Sequence, residues 1–312
     1  MTIQDFKTQA VAQLKNTSPS PQLDIEILLS FALSMDKTKL LLNRSMEIPE
    51  AKMEWLKSAL SDRLQGLPVA YITGHKEFYG YDFIVSPSVL IPKPDTEILV
   101  ERAIELILEK MEVHPNQVLT VCDMCTGSGC IALAVLRTLI DVYKIPYGNL
   151  PTFTLVDISD AALEIAKENA RTLADGFSDK IHFVRSNLFE QFTLTGGWSF
   201  DLILTNPPYI PHSMVNELLK DGRNEPRLAL DGDVSLTGDA AYTEEGELAD
   251  DGLEIIRNLI PQAKIHLSPL GIILMETGEY NAEAAALLAE KNGFKSRIHK
   301  DLEGQLRVVE LW

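Results

Sequence analysis

Between residues 118 and 311 short apolar runs alternate with longer stretches of helical spacing, and that alternation restricts the fold more than any other feature of the chain. Runs at 118–123, 152–157, 181–185, 200–205 and 270–276 are short, apolar and bounded by turn residues, so they read as buried strands. Helical spacing fills 129–139, 160–174, 252–266 and 281–292. This succession predicts a mostly parallel sheet covered by helices on both faces, an α/β doubly wound architecture. Two last runs, 294–299 and 305–311, are separated by a short link and predict a terminal antiparallel hairpin.

The preceding residues have a different texture. Up to about residue 66 the chain predicts a helical bundle. Ile3, Phe6, Ala10 and Leu14 follow helical spacing, and Ser20-Pro21 forms an N-cap and N1 pair. That pair opens a second helix with Leu23, Ile27, Leu28 and Phe31 on one face. Pro49 opens a third, in which Met53, Leu56, Leu60 and Leu64 repeat before Gly66 stops it. From Pro68 to Ile91 β-branched and aromatic residues dominate, and Phe78-Tyr79-Gly80-Tyr81-Asp82-Phe83 predicts a hairpin. A helix follows from about Asp95, with Ile98, Leu99, Arg102, Ala103, Leu106 and Ile107 on one stripe.

A formal charge of −17 over 312 residues opposes a partner gripped mainly through phosphates, which depends on Lys and Arg. No apolar run approaches the ~20 residues of a membrane span. The first residues, Met1-Thr2-Ile3-Gln4-Asp5-Phe6, have neither a signal-peptide core nor an Arg-rich transit pattern, so a cytoplasmic protein is expected. Cys122, Cys125 and Cys130 crowd one region, which suits a reducing compartment. Cys122 and Cys125 form a C-x-x-C, but no second Cys or His pair has matching spacing. They read as small buried residues, and no metal is expected.

Two loops carry the chemistry. After the strand Val118–Cys122 comes Asp123-Met124-Cys125-Thr126-Gly127-Ser128-Gly129, then a helix from Cys130. Glycines let backbone approach a ligand, and a helix N-terminus offers free N–H groups. Asp157, at the end of the next strand, stands where a carboxylate accepts from ribose hydroxyls; capping of the following helix is the alternative, although Ser159 or Asp160 could serve there. The second loop, Asn206-Pro207-Pro208-Tyr209, follows the strand at 200–205. Alone it is also an ordinary Asn-Pro turn. Two prolines remove two N–H donors and stiffen the loop, leaving the Asn206 side-chain oxygen and backbone carbonyls as acceptors beside the Tyr209 ring. Such a loop suits a flat –NH2 group. Hydride transfer gives no reason for that clamp, whereas methyl transfer to nitrogen does.

With these loops the chain resembles the class I methyltransferases, and within them the N5-glutamine methyltransferases of peptide chain release factors. The resemblance also runs through Gly66-Leu67-Pro68-Val69-Ala70-Tyr71-Ile72-Thr73-Gly74, Leu90-Ile91-Pro92-Lys93-Pro94-Asp95-Thr96-Glu97, Glu225-Pro226 and Gly304-Gln305-Leu306-Arg307. It implies a Rossmann-like seven-stranded sheet and S-adenosylmethionine as cofactor, with S-adenosylhomocysteine as product. It also implies a helical substrate-recognition domain over 1–67, a hairpin linker over 68–93 and a methyltransferase domain over 94–312. Cofactor-binding residues would be Cys125, Thr126, Gly127, Ser128, Gly129, Asp157, Asn187, Leu188 and Asn206. Asn206, Pro207, Pro208 and Tyr209 would hold the substrate, and Asn206, Pro207 and Tyr209 would act in catalysis. The substrate would be the glutamine of the Gly-Gly-Gln motif in release factors, methylated by a monomer without direct nucleic-acid binding. The hairpin and the helical bundle would shape the substrate's way in.

Three departures stand out. Lys93 replaces the family's usual arginine, keeping charge but losing bidentate geometry. Asn187-Leu188 replaces an acidic-aromatic pair, with Asn187 still able to accept from an adenine amino group. Asp233 to about Glu247 looks inserted; it is acidic, contains no Lys or Arg, and reads as a solvated loop whose removal should spare fold and cofactor affinity. The competing readings are a methyltransferase for base amino groups of nucleic acid, one for a glutamine of a ribosomal protein, and a non-catalytic binding module on the same fold.

Overall fold

Proline sets several helix starts. Pro21 occupies the first turn of its helix, and Pro49 and Pro68 are N-cap residues, positions where the missing N–H costs nothing. The computed structural model describes residues 1–220, 225–235, 237, 239, 241 and 248–312. Two compact units emerge, one holding Met1–His75 together with the described residues 217–220, and the other Lys76–Asn216 and Glu225–Trp312.

The first unit contains α1 (Ile3–Leu14), α2 (Pro21–Leu33), α3 (Lys37–Leu42), α4 (Glu50–Leu64) and α5 (Val69–Thr73). Ile3, Phe6, Ala10 and Leu14 are buried, as their spacing predicts, in a core with Ile25, Leu28, Leu29, Leu56 and Leu60. The face expected of α2 is a correction. Leu28 is buried, but Leu23, Ile27 and Phe31 are exposed, and the inward stripe is Asp24, Ile25, Leu28, Leu29 and Ala32. Asp24 decides the rotation, because its buried carboxylate accepts from Arg63 Nε of α4 and from Ser18 Oγ, both at 2.7 Å. Ser20 precedes the helix as predicted, but its side chain bonds Asp24 at 3.3 Å and caps no backbone N–H. The short α5, bounded by Pro68 and Gly74, was hidden by its β-branched composition.

The second unit opens with β1 (His75–Phe78) and β2 (Tyr81–Ile84), the predicted hairpin, and α6 (Glu97–Val113). It continues with β3 (Thr120–Met124), α7 (Cys130–Asp141), β4 (Thr152–Asp157), α8 (Asp160–Leu173), β5 (Ile181–Arg185), α9 (Glu190–Thr195) and β6 (Phe200–Thr205). The remaining elements are α10 (His212–Lys220), α11 (Glu254–Ile265), β7 (Leu267–Glu276), α12 (Ala282–Lys291), β8 (Ser296–Lys300) and β9 (Leu306–Leu311). Seven strands lie in the order β5-β4-β3-β6-β7-β9-β8. Neighbours from β5 to β7 are parallel, and β9 is antiparallel to both β7 and β8, the predicted terminal hairpin.

One apolar layer joins the sheet to α6, α7 and α8 through residues such as Leu99, Ile107, Leu133, Leu136 and Leu155. The other joins it to α9, α11 and α12 through Phe192, Ile256, Ile260, Ala285 and Ile273. The Rossmann-like sheet is thus covered on both faces. The chain runs outward through β3, β4 and β5 and then returns to the other side of β3 with β6. That reversal opens a crevice beyond the carboxyl ends of β3 and β6, where sheets of this kind take ligands.

Candidate active site

At that crevice lies a cavity of about 360 Å³. Its wall includes Cys125, Thr126, Gly127 and Ser128 after β3, Asp157 at the end of β4, Asn187 and Leu188 after β5, and Asn206 and Pro208 after β6. Three predicted residues stand outside this wall: Gly129, Pro207 and Tyr209. Gly129 lies beneath it as the N-cap of α7 with φ +79°, and a Cβ there would press on Leu133 and Leu155 at 3.2 Å. Its role is close packing of loop, helix and sheet. Pro207 is buried, and Tyr209 is partly buried and packs behind the clamp against the α9/α11/α12 layer.

Asp157 holds the glycine loop and the start of α8 together. Its Oδ2 accepts from the Gly127 N–H and its Oδ1 from the Ser159 N–H, each at 2.9 Å. Ser159 caps α8 by accepting from the Ala162 N–H at 3.2 Å, which leaves Asp157 free of that duty. Burial raises the Asp157 carboxyl above its ordinary value, and the two amide bonds oppose the rise.

Sequence reasoning gave Asp123 no role. It is wholly buried, and its Oδ2 accepts from Thr126 Oγ at 2.7 Å and from the Ala132 N–H at 3.3 Å, fixing both ends of the glycine loop. Burial pushes its carboxyl up to about 7. The only available signal was an acidic residue inside an apolar strand. Burial likewise raises all three thiols, Cys130 to about 12; the expectation of small buried residues holds for Cys122, whereas Cys125 is only partly buried and lines the cavity. Among the described residues no group of three or more His, Cys, Asp or Glu could hold a metal ion.

Asn206 Nδ2 donates to Thr96 Oγ at 3.4 Å, leaving Oδ1 as the acceptor of that carboxamide for a ligand. Tyr209 donates its hydroxyl to Glu276 Oε1 at 3.2 Å, and its carbonyl accepts from Asn281 Nδ2 at 2.9 Å. Near the rim, Lys93 Nζ reaches both Glu225 oxygens, at 2.8 and 3.0 Å, and Oε1 of the same carboxylate accepts from the Ile91 N–H at 3.1 Å. The lysine ammonium thus contacts both oxygens of the one carboxylate.

The acidic segment is a second correction. Leu236, Gly238, Ala240 and residues 242–247 lie outside the described residues, but its beginning is structural. Asp233 is fully buried and accepts from the Gly252 N–H at 2.8 Å and the His212 N–H at 3.2 Å, while Val234, Ser235 and Thr237 line the cavity. Composition suggested a solvated loop because the donors that satisfy Asp233 come from distant residues.

Comparison with known proteins settles kinship. The PrmC N-terminal domain profile matches residues 6–74, and the methyltransferase small domain profile matches residues 98–234. The release factor glutamine methyltransferase of Clostridium acetobutylicum is 33% identical, with 99% of this chain and 98% of that protein covered. The Koribacter versatilis protein of the same description is 35% identical with the same coverage, and that of Moorella thermoacetica 34% identical with 94% and 91% covered. The chain belongs to the release factor glutamine methyltransferase family.

Within this family member the residues fit a sulfonium nucleoside. Ser128 Oγ is buried, lines the cavity and has no hydrogen-bond partner among the described residues, so it can meet a polar ligand group. The Asp157 oxygens each retain acceptor capacity towards a diol. Among the described residues no helix is long and apolar enough to cross a membrane.

Proposed function

We propose that the protein transfers the methyl group of S-adenosylmethionine to N5 of the glutamine in the Gly-Gly-Gln motif of a peptide chain release factor. The observation that carries the reading is the placement of Asn206 on the wall of the same cavity as the glycine loop and Asp157, in a chain whose full-length relatives are release factor glutamine methyltransferases. The cofactor supplies an electrophilic methyl on a sulfonium, whose C–S bond breaks with its electron pair staying on sulfur as the new N–C bond forms.

The protein's own residues have to make an amide nitrogen nucleophilic, although its lone pair is delocalised into the carbonyl. Asn206 Oδ1 and the Pro207 carbonyl accept the two amide N–H groups and fix the plane of the substrate. These acceptors also favour the positive charge that gathers on nitrogen, stabilisation by groups already in place. Tyr209 sets the attitude of that plane, a positioning effect. No base needs to act before transfer, because the cation formed when the methyl joins the neutral amide nitrogen is strongly acidic and yields one of its two N–H protons to water, leaving the neutral N-methyl amide. Gly127, Ser128 and Asp157 would hold the nucleoside and amino-acid parts of the cofactor, and Asn187 and Leu188 would receive its base. Residues 1–67 select the protein substrate, 68–93 link, and 94–312 carry the reaction; the enzyme works as a cytoplasmic monomer.

Incubation of the full-length protein with S-adenosylmethionine and an unmethylated release factor, followed by peptide mass spectrometry, tests this. One added methyl group on the Gly-Gly-Gln glutamine is expected. Methylation of RNA, of a ribosomal-protein glutamine alone, or of nothing while cofactor binds would overturn the reading.

A further inference from the structure

Glu276, which the sequence reading passed over, ends β7 beside the tip of β6: Thr205 pairs with Met275 in the parallel register, so the next residues, Asn206 and Glu276, leave the sheet side by side. Glu276 is only 1% exposed, yet its Oε2 has no hydrogen-bond partner among the described residues and its Oε1 is used on the Tyr209 hydroxyl. The Thr96 hydroxyl as well as the Tyr209 phenol favours its charged form, but a carboxyl this buried with one oxygen left without a hydrogen bond is a cost to the fold unless it serves something else. Arg307, whose charge reaches Glu276, has its guanidinium against Asp301 and Asp95 at 3.2 and 3.3 Å.

The remainder of Tyr209 is already fixed. Asn281 Nδ2 holds its carbonyl at 2.9 Å, with Tyr280 Oη at 3.4 Å. Its backbone lies so close to Gly232 and Gly252 that a Cβ on Gly252 would collide with the Tyr209 carbonyl, and one on Gly232 with the Tyr209 Cα. Ile210 next to it is locked by N–H···O bonds of 2.9 Å to Leu230 and from Gly232. With the backbone held on these sides, side-chain torsion is the freedom left to the ring, and the hydroxyl bond to Glu276 removes it.

We propose that Glu276 is a positioning residue for methyl transfer, holding the Tyr209 phenol from behind so that the ring keeps the attitude that presents the substrate amide. It touches neither substrate nor cofactor and acts through its hydrogen bond to the Tyr209 hydroxyl. The inference rests on the function proposed above, with Asn206→Ala as the control that separates them.

The test is steady-state methylation of intact release factor by the full-length enzyme, with cofactor Kd from calorimetry and thermal midpoint for each variant. Tyr209→Phe should lower kcat on the order of tenfold, with cofactor Kd within about twofold of wild type. Glu276→Ala should be at least as slow, because it also removes the carboxylate beside Thr96, the partner of Asn206 Nδ2, whereas Glu276→Gln, which keeps an acceptor for the hydroxyl, should retain kcat within about threefold. The double variant Tyr209→Phe/Glu276→Ala should be no slower than the slower single one, because both remove the same bond. If Glu276→Ala does not fold, Tyr209→Phe and Glu276→Gln still decide. A Tyr209→Phe enzyme with wild-type kcat, multiplicative effects in the double variant, or Glu276→Gln as slow as Tyr209→Phe overturns the role of Glu276. Wild-type turnover in Asn206→Ala would instead overturn the proposed function itself.

Discussion

Replacing Asp157 separates its two duties. In the wild type Oδ2 binds the Gly127 N–H and Oδ1 the Ser159 N–H, both at 2.9 Å, and each oxygen has capacity left for one ribose hydroxyl. On the proposed ribose role, Asp157→Ala removes both ligand bonds together with the bond that holds Gly127 in the cavity wall. Charge-assisted hydrogen bonds contribute about 1.5–3 kcal/mol each, but a pair to one diol is not additive and water can enter to meet Gly127. About 2–4 kcal/mol is therefore expected, roughly a 30- to 900-fold rise in Kd for S-adenosylmethionine. Asp157→Asn should fare no better. Whichever way its carboxamide turns, one backbone N–H faces the –NH2 group instead of an oxygen. S-adenosylhomocysteine should lose the same factor, since it shares the ribose and lacks only the methyl. Calorimetric titration of the full-length variants with both ligands is the assay, with circular dichroism to confirm folding. A Kd within about threefold of wild type for Asp157→Ala would falsify the ribose contact and move it elsewhere.

Two further outcomes follow from buried carboxylates away from the clamp. Asp233→Ala leaves the Gly252 and His212 N–H groups unpaired, so stability should drop by about 2–4 kcal/mol in denaturant unfolding; an unchanged midpoint would return that segment to the status of a solvated loop. Glu310 is opposed by its burial, but bonds from His299 at 2.7 Å and Arg102 at 2.9 Å outweigh this and hold its carboxyl down to about 2. A depressed carboxyl contributes stability above its ordinary value of 4.5 and loses it as pH falls through the folded value. The gap in thermal midpoint between wild type and Glu310→Gln should therefore narrow between about pH 5 and pH 2, and a constant gap would exclude the linkage.

The sheet was legible because most strands are short apolar runs whose neighbours in sequence are their neighbours in space, apart from the return to β6 and the insertion of β9 between β7 and β8. The gathering of the glycine loop, Asp157 and Asn206 around one cavity was legible because all of them sit at strand ends, which the fold brings to one edge of the sheet. The face of α2 was misread for a physical reason. Ile25, Leu28, Leu29 and Ala32 follow helical spacing as well as Leu23, Ile27 and Phe31 do, and the choice falls to Asp24 pairing with Arg63, 39 residues away. The short helices α3, α5, α9 and α10 carry too few turns for periodicity to emerge. Glu276 and Asp233 were passed over because what they hold, Tyr209 and the N–H groups of Gly252 and His212, is brought to them only by the fold.

Asn169, on α8, is a buried carboxamide with three partners. Its Oδ1 accepts from the Ile84 N–H at 2.7 Å, while Nδ2 donates to the Ile84 carbonyl at 3.0 Å and to the Ser128 carbonyl at 2.9 Å. To Ile84 it imitates the peptide group of a neighbouring strand, so the end of β2 is closed to a foreign strand. To Ser128 it is a tether on the glycine loop. One side chain thus makes the hairpin and the nucleotide loop mechanically a single part, and whatever stiffens the loop stiffens the hairpin edge with it. The Ile84 amide, far along the chain from the glycine loop, is thereby two hydrogen bonds away from the Ser128 carbonyl in that loop.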